Sequence, residues 1–278
     1  MSAPASTPAV EGRWYRPGTG AELTGAEARD LLLARDVILL GERHDRAADH
    51  LWQASVIAAL AARRPVAVGL EMLPRAADPV LAEWVAGGLG FAEFLAKARW
   101  SEVWGFDPEL YRPIFETCRA AGAPMLGLNL DRAIVRAVRN GGWDALPAAE
   151  RAWLSPAPPA PRAYRAYLFA MTGGARPDRV AAAPEDPAFD GFVRAQQVWD
   201  RAFACAIAAA RAATPERRVI GVIGRGHLEY RFGTPAQLAD LGLGAVAVAL
   251  PGAAGAVPGA GAIADLVFEA GNPGLAGS

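Results

Sequence analysis

Two of the three histidines in this chain follow short apolar runs within a few residues. Gly41-Glu42-Arg43-His44-Asp45 comes after the run at 37–40, and Gly224-Arg225-Gly226-His227 ends the run at 219–224. Glu71-Met72 follows the run at 66–70, and Asn129 and Asp131 close the run at 124–130. A carboxylate that orients an imidazole makes a general base. Histidine and glutamate together can also hold a divalent ion and leave one position open for water. Taken singly, Glu42 and Glu71 could be carboxylates favoured at helix N-termini, and either histidine could be a hydrogen-bonded structural imidazole. Their joint occurrence at the ends of four runs points to a site, because perturbed titratable groups gather in functional clefts. His50 and Gln53 share one helical face nearby. Trp100, Trp104 and Tyr111 are candidate pocket walls, with core packing as the alternative.

Six apolar runs predict strands, at 37–40, 66–70, 124–130, 219–224, 245–250 and 263–268. Most are continuously apolar, which suits strands covered on both faces. Helical patterns lie between the first four. Residues 47–63 place Trp52, Val56 and Leu60 on one stripe. Asp107-Pro108 reads as N-cap and first helical residue, with Gly122 as the stop, and Asp131 caps a helix through Val138. This alternation predicts an α/β fold with a mainly parallel sheet flanked by helices. In such sheets ligands sit at the carboxyl ends of the strands, where the Glu/His residues fall.

Two windows break the alternation. Residues 84–104 predict two short helices without a strand. Residues 146–187 hold a proline cluster (Pro156, Pro158, Pro159, Pro161), a short helix at 164–171 and a loop. These predict helical insertions that form a small cap. A long helix over 188–213 puts Phe192, Gln196, Trp199, Phe203 and Ile207 on one face. Gly224 and Gly226 would allow positive φ and close approach to a ligand. Thr234 reads as an N-cap with Pro235 following it. The expected organisation is an unstructured start at 1–18, one domain over 19–270 and a frayed tail at 271–278.

Composition narrows the classes. Of 278 residues, 53% are hydrophobic and 21% charged, and the formal net charge is -1. That describes a globular chain without the basic field of a nucleic-acid binder. Cys118 and Cys205 are too few for a disulfide framework or a thiolate metal cage, and both are expected to be buried free thiols. No apolar run is long enough to span a membrane. The first residues lack the pattern of a signal peptide. The chain as written is expected in the cytoplasm, or in the periplasm or on a lipid anchor if an export segment preceded it. No Gly-x-x-x-x-Gly-Lys phosphate loop or Gly-x-Ser-x-Gly elbow occurs.

The motifs, in their order, resemble the ChaN-like haem-binding uptake family. They are Gly-Glu-x-His-Asp at 41–45 with His50 and Gln53, Leu70-Glu71-Met72, Trp100 and Trp104 leading to Tyr111-x-Pro113, and Gly127-x-Asn129. Gln196-x-x-x-Asp200 with Ala204, Gly224-x-Gly226-His227 and Gly233-x-Pro235 complete the set. The resemblance implies a non-catalytic haem binder of bacterial iron acquisition, often lipid-anchored and able to form a homodimer around haem. Its wider superfamily includes erythromycin-esterase-like hydrolases and Tiki-type metalloproteases. Departures are the missing lipobox, Phe203 where the family tends to carry methionine, and a polar segment near 176–187.

Haem needs an apolar slot, an axial ligand and cations for its propionates. Tyr230 is the first axial candidate, His227 the second and Tyr111 the third. Arg43 and Arg225 are the expected propionate partners. Glu42, His44, Glu71 and Asn129 complete the expected pocket. The competing expectation is a hydrolase, metal-dependent or metal-free, in which Glu42, His44, Glu71 and His227 do the chemistry.

Overall fold

The computed structural model describes residues 10–175, 180–252 and 261–271. Its strands are β1 (Gly12–Arg16), β2 (Ala21–Leu23), β3 (Val37–Glu42), β4 (Val66–Pro74), β5 (Met125–Asn129), β6 (Arg218–Gly224), β7 (Val246–Pro251) and β8 (Leu266–Ala270). They form one sheet in the order β2-β1-β8-β7-β3-β6-β4-β5. The strands from β8 to β5 are mutually parallel, and β1 and β2 add an antiparallel edge. The predicted α/β class and mainly parallel sheet are what the chain adopts.

The helices are α1 (Gly25–Leu33), α2 (Ala47–Ala61), α3 (Asp78–Val85), α4 (Phe91–Lys97), α5 (Trp100–Val103), α6 (Arg112–Ala121) and α7 (Arg132–Gly141). They continue with α8 (Ala148–Arg151), α9 (Arg162–Met171), α10 (Asp190–Ala213) and α11 (Thr234–Asp240). The central strands are apolar throughout because successive side chains enter different cores. Ile38 and Leu40 of β3 pack in the core that holds Trp52, Ile57 and Phe115 from α2 and α6. Val37 and Leu39 face the opposite core, with Val138, Phe203 and Ile207 from α7 and α10. A third, smaller core joins Tyr164, Tyr167 and Leu168 of α9 to Val193 of α10 and to Tyr230.

Several expectations shift in detail. The unstructured start does not reach residue 18, because β1 pairs with β2 and β8 and buries Trp14 against Trp52 and Phe268. Residues 1–9 and 272–278, with most of the expected tail, lie outside the described residues, as do 176–179 of the polar segment. The window 84–104 holds the two short helices expected, α4 and α5, and α3 precedes them from Asp78. Asp107 caps a short 3-10 turn, Pro108–Leu110, before α6, while Gly122 ends α6 in the left-handed region at φ 59°. Helix α1 was not foreseen. Its signal is a capping box, in which Thr24 accepts from the Glu27 backbone and Glu27 reaches back to Thr24. Both cysteines are buried free thiols, and burial pushes Cys118 up to about 12. Among the described residues, no helix is long and apolar enough to cross a membrane.

Candidate functional site

Glu42 ends β3 with its side chain buried, and a buried carboxylate must find partners. The Tyr111 hydroxyl donates to its Oε1 at 3.0 Å and His44 Nδ1 donates to the same oxygen at 2.8 Å. His50 Nδ1 lies 3.3 Å from Oε2. Burial raises the Glu42 carboxyl, but hydrogen bonds and charge from His44 and His50 outweigh it and bring the group down to about 2. Gln53 donates its amide to the carbonyls of Leu40 and Gly41 at 3.0 and 3.2 Å, which turns its own oxygen toward His50. His50 Nε2 faces the His44 carbonyl at 3.2 Å. All these neighbours of His50 are acceptors, so both ring nitrogens carry protons. Burial opposes that charge, yet Glu42 and the carbonyl raise the His50 pKa above the ordinary value.

A second carboxylate–imidazole pair stands opposite. After β6 the chain makes a 3-10 turn, Arg225–His227, and His227 Nδ1 donates to Asp200 Oδ1 at 2.9 Å. Asp200 comes from the buried side of α10. It also accepts from Tyr164 through a short hydrogen bond and from the Thr234 hydroxyl at 3.1 Å. Thr234 therefore serves Asp200, and the cap position of α11 falls to Gly233. Burial disfavours the His227 cation, but the Asp200 charge and hydrogen bond, with Glu71, raise the imidazole to about 9.

Glu71 stands between the two pairs. Its Oε1 is 3.8 Å from His227 Nε2, and its Oε2 takes a short hydrogen bond from the Gly224 backbone N–H. A Cβ on Gly224 would lie 2.6 Å from His44 Cε1 and 3.3 Å from Glu71 Oε2, so His44 and Glu71 meet over that glycine. The glycine is needed for this close approach and not for a positive φ, since Gly224 sits at φ -53°. Burial raises the Glu71 carboxyl, an effect opposed by His227 and His44. Burial lowers the His44 imidazole, and Glu42 and Glu71 raise it to a net upward shift. Asn129 sets the backbone here: its amide donates to the Glu71 carbonyl at 2.7 Å, beside a register irregularity between Leu70 and Pro74.

These groups open into a cleft of about 890 Å³ at the carboxyl ends of β3, β4, β5 and β6. His44, Glu71, Met72, Asn129 and His227 line it on the sheet side, while Trp104, Phe106, Trp153 and Trp199 supply aromatic wall. Both insertions contribute, through Lys97 to Phe106 in the first and through Glu150 and Trp153 in the second. A volume of this size, with an aromatic wall and charged groups of both signs around it, suits a cofactor-sized ligand.

Glu42, His44, Glu71, Asn129 and His227 thus come together, with Glu42 behind His44. The other expected residues do not face the cleft. Tyr111 is wholly buried and spends its hydroxyl on Glu42, and burial together with that carboxylate pushes the phenol up. Tyr230 turns away, into the core with Tyr167 and Phe232 at ring distances of 5.7 and 5.9 Å. The turn that carries it runs through positive φ at Tyr230 and Arg231, 55° and 61°. Arg43 is committed to Asp49 at 2.8 and 2.7 Å, and Arg225 to Glu229 and the Pro251 carbonyl. Asp200 belongs to the Gln196-x-x-x-Asp200 motif, which by itself assigns it no role. Its signal was a carboxylate four residues after Gln196 on a helix whose neighbours are apolar. Arg75 and Trp153 carried no signal, because only the folded chain brings them to the cleft.

Fold and site together define an α/β protein with a ligand cleft at the carboxyl edge of its sheet. The family described as "Haem-binding uptake, Tiki superfamily, ChaN" matches residues 29–238, and the chain belongs to it. Among solved structures it is similar to ChaN of Campylobacter jejuni, described with cofacial heme binding. That pair shares 20% identity at a TM-score of 0.72, over 94% of this chain and 97% of the other. The type III effector HopBA1 (13% identity, TM-score 0.52, 95% and 98% of the two chains) shares the fold. So does a mutant erythromycin esterase in its open conformation (14% identity, TM-score 0.51, 92% and 83%). No curated protein sequence matches the chain significantly.

Proposed function

We propose that this protein binds haem in the cleft, without catalysing a reaction on it, as part of bacterial haem or iron acquisition. The observation that carries the reading is the chain's membership of a haem-binding family combined with an aromatic-walled cleft lined by two imidazoles. The residues fit the group. His44 and His227 each have Nδ1 held by a carboxylate, which leaves Nε2, once it has given up its proton, as the atom able to ligate, the arrangement usual behind metal-binding histidines. His44 or His227 would hold the iron, which would act there as a Lewis acid, and Trp104, Phe106, Trp153 and Trp199 would pack against the porphyrin. Tyr230 is an unsuitable ligand because it is buried in a different core. We extend to this chain the cofacial binding described for ChaN of Campylobacter jejuni, with haem held between two copies. Titration with hemin tests the reading: a Soret change saturating at about micromolar concentration or tighter, roughly 8 kcal/mol, is expected, and no change would overturn it.

A second reading has its own observation. Two carboxylate-oriented imidazoles face a third buried carboxylate, Glu71, whose pKa is raised by burial. Groups so tuned can exchange protons with a substrate. Under this reading His44 or His227 would act as base on an ester or peptide. Among the described residues no set of three or more His, Cys, Asp or Glu is arranged to hold a metal ion, so the metal-free form is the one to test. Cleavage of simple esters that is lost in Glu71→Gln would favour it.

A further inference from the structure

With Arg43 and Arg225 committed elsewhere, the cations that could meet an acidic ligand are those lining the cleft: Arg75, Lys97, Arg99 and Arg132. Three of them are engaged. Lys97 pairs with Glu83 at 3.0 Å and Glu93 at 3.4 Å, Arg99 pairs with Glu102, and Arg132 donates to the Val103 carbonyl at 3.2 Å. Arg75 differs. Its guanidinium lies over the Trp153 indole, 4.2 Å from the ring centroid. Among the described residues, no carboxylate is within ion-pair distance of it and no acceptor takes its N–H groups.

Trp153 holds Arg75 in place without pairing its charge, and from nearby the cation opposes the burial that raises the Asp78 carboxyl. The Trp153 ring is itself fixed, because its N–H donates to Glu150 Oε2 at 2.7 Å. The nearest acid in sequence, Asp78, turns Oδ1 to the Gly127 backbone N–H at 2.8 Å. Arg75 begins the 3-10 turn that directly follows β4, four residues after Glu71. Four residues of extended chain span at most about 13 Å, so the cation and the carboxylate between the imidazoles belong to one binding surface. A guanidinium held over an aromatic face by its carbon still has its N–H fork available in its own plane, a shape that matches a carboxylate.

We propose that Arg75, held over Trp153 at the mouth of the cleft, anchors a carboxylate of the bound ligand. The proposal rests on the haem reading, under which that carboxylate is a propionate. Affinities of the parent, Arg75→Ala and Arg75→Lys for hemin and for hemin dimethyl ester, whose propionates are esterified, test it. Circular dichroism of each variant checks that the fold is kept. Arg75→Ala is expected to weaken hemin about tenfold, as for loss of a charge-assisted hydrogen bond, and to leave the dimethyl ester unchanged. Arg75→Lys should fall between, keeping the charge without the fork. Equal hemin affinity in the parent and Arg75→Ala, or an equal loss for hemin and its ester, would overturn the role of Arg75 while leaving the haem reading standing. No response of the parent to either probe would overturn the haem reading, and the propionate anchor with it.

Discussion

Asp200, from the middle of α10, holds His227, beyond the end of β6, by its Nδ1 at 2.9 Å. The pair joins the long helix to the strand-end turn that carries the imidazole. It fixes the ring so that Nε2 points toward Glu71, 3.8 Å away. Asp200→Asn keeps the shape and removes the charge. His227 in the parent should titrate near 9 and in the variant move down toward the ordinary 6.5, read by NMR of the imidazole protons. Because the folded value is raised, this contact's contribution is complete below pH 6.5 and lost as pH rises through about 9. Urea denaturation of the parent should show that loss, at most on the order of 3 kcal/mol, and the variant should not.

Glu42 gives the opposite dependence. Its folded pKa is depressed to about 2 from an ordinary 4.5. Its contribution is therefore present above pH 4.5 and disappears as pH falls through about 2. Glu42→Gln should be less stable than the parent at neutral pH, and the difference should narrow by about 1–3 kcal/mol on acidification. Denaturant midpoints at pH 6 and pH 2.5 (about neutral and acid limits of the window) read it; a constant difference would contradict it.

Glycine replacements separate close approach from flexibility. A Cβ at Gly233 would lie 2.4 Å from the His227 carbonyl and 2.6 Å from Asp200 Oδ1. At Gly226 the nearest atom would be the Met171 sulfur at 3.1 Å, part of a flexible side chain. Gly233→Ala should cost about 1–3 kcal/mol and Gly226→Ala clearly less. Thermal denaturation of both variants compares them, and equal effects would refute the distinction.

The parallel core was legible because doubly buried strands are continuously apolar up to their site residues, as in 37–41 before Glu42 and 66–70 before Glu71. The site edge followed, since parallel strands end together and Glu42, Glu71 and His227 stand at those ends. Side-chain commitment was not legible. Adjacency to a histidine suggested Arg43 and Arg225 as ligand cations, yet each closes a local ion pair with Asp49 or Glu229. Adjacency also suggested Tyr230, but positive φ at Tyr230 and Arg231 reverses the chain and sends the ring into the third core. Asp200 reaches His227, and Trp153 reaches Arg75, through tertiary packing that spacing along the chain does not encode. Trp14 shows the same limit: β1 is a short strand next to the sheet edge whose partners, β2 and β8, lie at both ends of the described chain.

Under the proposed function, haem binds in this cleft through an imidazole Nε2. The most direct test is the absorption spectrum of hemin titrated into the parent, His44→Ala, His227→Ala, the double variant and Tyr230→Phe. A saturating Soret shift is expected in the parent and in Tyr230→Phe, with an altered band in at least one single histidine variant and loss of the ligated spectrum in the double variant. An unchanged spectrum in the double histidine variant, or no shift in the parent, would contradict it.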